Sequence, residues 1–160
     1  MRRVVMPAVI ATWLGACGGA GGPVGPGSPS PPSVPTVGVA GGTVIAGGGA
    51  VRLVIPPGAL ATNVAFTIRA AQAVPSDPLA VPGSAWDLTP AVAFATPATL
   101  TVGYEPARVP IGVNESELRL FGVGAGNAWA PVGGSSVDSA ANEVSGPITR
   151  TATFGVRAAR

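Results

Sequence analysis

The chain has 160 residues, room for one domain, with 24 Gly and 18 Pro, so part of it is expected to lack a packed core. Hydrophobic residues make up 47%, enough for a core in the remainder, and it must rest on Val, Leu, Ile and Ala because aromatic residues are only 5%. The formal charge is +2, with no Lys and no cluster of Arg, which excludes the basic stripe a nucleic-acid partner requires. Without His, neither Ser–His–Asp nor Cys–His catalysis is available, nor most zinc sites, and the one Cys has no partner for an internal disulfide.

Residues 1–16 read as a signal peptide. A positive start at Met1–Arg3 is followed by an apolar run, Val4–Leu14, too short to cross a bilayer as a helix and interrupted by Pro7 and Thr12. Then comes Leu14-Gly15-Ala16-Cys17, which resembles the lipobox of bacterial lipoproteins. The resemblance implies cleavage before Cys17, diacylglycerol on its thiol, and usually an acyl group on the new amino terminus. Ordinary secretory cleavage asks for small residues at −3 and −1, and Leu14 does not suit the first. Each buried methylene contributes about 0.8 kcal/mol, so two or three acyl chains hold firmly where one holds weakly. The partner implied at this end is a membrane. Gly18 follows the Cys, where an Asp often favours inner-membrane retention in Gram-negative lipoproteins, so by resemblance the address leans towards the outer membrane or cell surface. Arg2 and Arg3 would leave with the signal, giving a mature chain with seven Arg against seven acidic residues.

Residues 17–36 hold the lipidated Cys and a linker with 6 Gly, 6 Pro, 3 Ser and no charge between Gly18 and Thr36. Its Gly-rich part is flexible and its Pro-rich part favours polyproline II, spanning roughly 25 Å as a coil and up to about 60 Å extended. It reads as a disordered spacer.

Residues 37–160 read as an all-β domain, a β-sandwich of about 8–10 short, mostly antiparallel strands. Val51, Leu53 and Ile55 alternate up to the Pro56-Pro57-Gly58 break. Phe66 and Ile68 form a second pair, and Leu100, Val102 and Tyr104 a third run stopped by Pro106. Leu118, Leu120 and Gly122 are expected on one face, opposite Arg119 and Phe121. The last strand is expected to turn Ala152, Phe154 and Val156 inward and Thr149, Thr151 and Thr153 outward. No stretch supports an amphipathic helix of three turns.

Several blocks, taken together, resemble the ZU-five domain of ankyrins, netrin receptors and tight-junction scaffolds. They are Gly41-Gly42-Thr43-Val44, Val51-Arg52-Leu53-Val54-Ile55-Pro56-Pro57-Gly58-Ala59-Leu60, Leu88-Thr89-Pro90, Phe94 with Pro97, Trp129, Val144–Thr149 and Phe154-Gly155-Val156. The resemblance implies a protein-docking or domain-packing module rather than an enzyme. Some animal members cut their own backbone at a His-Phe-Ser sequence in the last strand; the matching stretch here is Arg150-Thr151-Ala152, without the His.

Three aromatic residues, Trp86, Tyr104 and Trp129, are the candidate ligand contacts, as a sugar-stacking platform; the alternative is that they belong to the core or rim. Glu115 and Glu117 are expected to share a solvated strand face, with Asp77, Asp87 and Asp138 dispersed, so no calcium cluster or paired-acid cleft is expected. No metal and no cofactor is implied. The reading is a lipid-anchored envelope protein with a non-catalytic interaction or structural domain, its partner an envelope protein. A carbohydrate-binding module is the alternative, with a glycan as partner.

Overall fold

The computed structural model describes residues 34–124 and 126–160. The signal segment 1–16, with Leu14, Gly15 and Ala16, and Cys17 and the linker up to residue 33 lie outside the described residues. The rest is an all-β sandwich. One sheet contains β2 (Gly42–Ala46), β3 (Val51–Ile55), β7 (Ala93–Gly103), β10 (Ser136–Asp138) and β11 (Glu143–Arg150), in the order β10-β11-β7-β3-β2. The other contains β5 (Thr67–Ala70), β6 (Trp86–Thr89), β8 (Leu118–Val123), β9 (Trp129–Pro131) and β12 (Thr153–Ala158), in the order β5-β6-β12-β8-β9. A two-residue ladder of β1 (Thr36–Val37) with β4 (Val64–Ala65) stands apart from both. Every strand pairing is antiparallel.

The alternation of Val51, Leu53 and Ile55 gives a strand buried on one side, with Arg52 and Val54 exposed. Leu100 and Val102 on β7 continue that layer, and Val144 and Ile148 on β11 extend it. Leu118, Leu120, Phe154, Val156 and Leu88 face it from the second sheet. Each such side chain stabilises the fold by about 1.5–3 kcal/mol when fully buried. Phe66, between β4 and β5, stacks against Phe94 with ring centroids 6.3 Å apart, while Ile68 is half-buried. The expected linker loses its last residues to this fold: Thr36 pairs with Ala65, and the Pro35 carbonyl accepts from the Phe66 N–H at 2.9 Å.

Two local expectations are corrected and a third is extended. Thr149, Thr151 and Thr153 do not share an outward face, because the chain passes from one sheet to the other between Arg150 and Thr153. Thr149 stays on β11, Thr153 starts β12, and Thr151 is buried at the crossing. Phe121 does point away from the main core, as its alternation requires, yet it is buried. The Arg157 guanidinium stands 4.8 Å from its ring centroid, and a strap over residues 74–82 is tied to that arginine and to Trp129. Glu115 and Glu117 are in a single 3-10 turn, not a strand, because Asn114 and Glu117 form a capping box there.

The strap is fastened by Asp77, which pairs with Arg157 and accepts from the Leu79 N–H at 2.8 Å. Burial raises the Asp77 pKa, but the Leu79 N–H and Arg157 outweigh it and hold the carboxyl below its ordinary value of 3.8. A depressed folded pKa gives stability that is complete above the unfolded value and fades as pH falls through the folded one. Asp77→Asn should therefore cost about 1.5 kcal/mol at pH 7 and progressively less below pH ~4. Urea titrations of both proteins at several pH values check this; a difference that stays constant down to pH 2.5 would contradict it.

Candidate functional site

The three aromatic candidates are not brought together. Trp86 pairs with Phe154, and Trp129 extends its ring across Gly155, the next residue of the same strand. Successive residues of a strand face opposite ways, so the two indoles lie on opposite faces of one sheet. A Cβ on Gly155 would approach Trp129 Cη2 to 2.9 Å, and a Cβ on Gly47 would approach Trp86 Cη2 to 2.3 Å. Both rings are thus packed onto glycine backbone. The Trp129 Nε1 donates to the Pro75 carbonyl at 3.1 Å, tying β9 to the strap, whereas the buried Trp86 Nε1 has no partner among the described residues.

Tyr104 follows β7 and is buried at the wall of a depression of about 520 Å³ that also includes Ser84, Arg108 and Asn142. Its hydroxyl donates to Glu115 Oε2 at 2.6 Å. Burial first, then this hydrogen bond to Glu115, pushes the phenol well above its ordinary pKa, so it is held as a donor and not as a base.

The acidic residues are each engaged locally. Glu117 accepts from the Asn114 N–H at 3.1 Å and pairs with Arg160 at 2.8 Å, which keeps its carboxyl below the usual range. Asp87 accepts from the Thr153 hydroxyl, and Asp138 accepts from the Ala140 and Ala141 N–H groups at 3.0 and 3.1 Å. Among the described residues no three His, Cys, Asp or Glu side chains gather where they could hold a metal ion. Thr151, the hydroxyl nearest the self-cleavage position of the resembled family, donates to the Pro90 carbonyl at 2.6 Å. It accepts from the Val92 N–H at 2.8 Å. A hydroxyl bound at both ends clamps the β6–β7 connection to the sheet crossing and has no base beside it to take its proton. Alternation alone could not have found this role, since it assigned Thr151 to the solvent side; the signal was the turn chemistry of Thr89-Pro90, which brings two backbone groups to that point.

Comparison of the chain with protein-family models gives no match, and comparison with curated proteins gives none either.

Proposed function

We propose that this chain is a lipid-anchored cell-envelope protein whose β-sandwich serves as a non-catalytic protein-interaction or structural module. The observation that carries the second half is the engagement just described. Thr151, Tyr104 and the acidic residues Asp77, Asp87, Asp138, Glu115 and Glu117 are each bonded within the fold. Activating any of them as nucleophile or base would first require breaking a bond that holds the domain together. The anchor rests on the Leu14–Cys17 motif behind its apolar run.

The ZU-five-like reading is part of the proposal. Two of the blocks that suggest it meet in space: Gly41 lies against the Ile55 carbonyl and Pro56-Pro57, and the Gly58 N–H donates to the Val39 carbonyl at 2.8 Å. A protein partner fits better than a glycan, because the aromatic rings are split between two faces and no joint stacking surface is formed.

Intact mass and membrane fractionation of the natively expressed protein, beside a Cys17→Ala variant, test the anchor. The expected result is a membrane-bound wild type, starting at Cys17 and carrying acyl mass, and a variant that lacks both. A soluble wild type without acyl mass would refute it.

A further inference from the structure

The two sheets part at one corner of the sandwich and leave a cleft of about 420 Å³ between the ends of β8, β9 and β11. Its walls are Val132 and Pro131 on one side and Ile148, Pro147 and Pro97 on the other, with Phe154 among the lining residues. Gly122 keeps it open. A Cβ on Gly122 would stand 3.1 Å from Phe154 Cε1, so a side chain there would crowd the ring. The opposite wall is shaped by an irregularity in the β7–β11 ladder: Ile148 pairs with Ala98, but Arg150 pairs with Ala93, so one residue of β11 faces four of β7. The excess backbone carries Pro97 into the cleft wall.

The lining is one-sided in charge. Among the described residues that line it, Arg150 is the sole ionisable one and none is a carboxylate. Arg52, Arg108, Arg157 and Arg160 each pair with a carboxylate, whereas Arg150, like Arg69 and Arg119, has no ion-pair partner among the described residues, and it is exposed. Three prolines in the wall contribute no N–H, so polar recognition falls mainly to the guanidinium and Thr149. A cleft of a few hundred cubic ångströms on which apolar side chains and one charged group converge has the anatomy of a small-molecule site.

We propose that this cleft binds an amphipathic carboxylate, its apolar body between Val132 and Ile148 and its carboxylate on the Arg150 guanidinium. The guanidinium fork suits a carboxylate by two parallel N–H···O bonds, which a neutral or cationic head cannot form. The proposal stands independently of the lipid anchor and of the partner of the domain.

The test uses the full chain as Cys17→Ala, which carries no acyl group, titrated with octanoate, octanol and octyltrimethylammonium while amide NMR shifts are followed. Octanoate should move Gly122, Gly124, Thr149 and Phe154 together, and octanol should bind about tenfold more weakly, the value of one charge-assisted contact. Arg150→Gln, an exposed change that leaves the core intact, should bring octanoate down to the level of octanol. Ala130→Glu, on the exposed rim, should abolish octanoate binding by placing a carboxylate opposite the ligand's own. Absence of shifts at the cleft, equal binding of all three probes, or octanoate affinity unchanged in Arg150→Gln would each overturn the proposal.

Discussion

Gly41→Ala is expected to destabilise the domain by about 3 kcal/mol, seen as a lower urea midpoint with an unchanged slope. Two costs combine at this position. Gly41 has φ +73°, a conformation alanine adopts only with strain. The added Cβ would also sit 2.4 Å from the Ile55 carbonyl oxygen and 2.8 Å from both Pro56 C and Pro57 N. All three are backbone atoms of the turn that ends β3, so none can rotate aside. Gly48 separates the two costs, because its φ is +67° but nothing lies within 4 Å of its would-be Cβ. Gly48→Ala should therefore cost only the strain, about 1 kcal/mol. Equal effects at the two sites would show that the contact with the Pro-Pro-Gly turn contributes nothing.

Thr151→Val should cost about 2 kcal/mol, because it removes two part-buried hydrogen bonds made by a buried side chain. The Pro90 carbonyl loses its donor and the Val92 N–H loses its acceptor, while the side-chain volume is kept. Thr151→Ser keeps both bonds and gives up one methyl, so its loss should be about 1 kcal/mol or less. Chemical denaturation ranks the three proteins, and intact mass of each tests the other role a hydroxyl at this position could have. A single full-length species in all of them fits a structural hydroxyl; fragments ending at residue 150 in the wild type and absent from Thr151→Val would mark a nucleophile.

How far the sequence reveals the fold depends on where each residue's neighbours come from. Val51-Arg52-Leu53-Val54-Ile55 is legible because burial on one side and solvent on the other impose a period of two, and Pro56 stops it. Leu118 and Leu120 are legible for the same reason. Phe121 is not, since the guanidinium over its ring comes from Arg157 and is paired with Asp77, some forty residues away from Phe121 in sequence. The Thr149–Thr153 alternation misleads because a sheet crossing keeps the polar pattern while turning the chain. Trp86 and Trp129 show the same limit for the candidate site. Each is correctly placed beside an apolar strand, but which face it takes follows from register with β12 for Trp86 and with β8 for Trp129, and register is not written in either local segment. The cleft is equally silent in the sequence: Pro97, Gly122, Pro131 and Arg150 come from four strands of two sheets, and the ladder irregularity between β7 and β11 beside Pro97 has no local signature.

The strand order also makes the domain mechanically lopsided. The described chain begins at the β1–β4 ladder, two residues long and braced by the Pro35–Phe66 hydrogen bond, and then runs into β2, an outer strand of its sheet. The other end of the chain leaves from β12, which lies in the middle of its sheet with β6 on one side and β8 on the other. Tension applied at residue 34 would open β1 and then unzip β2 from β3 one bond at a time. Tension from the C-terminal side would have to shear β12 past two neighbours at once. Pulled from residue 34, the domain thus yields first at β1 and β2, before β3, β7 and β12 part.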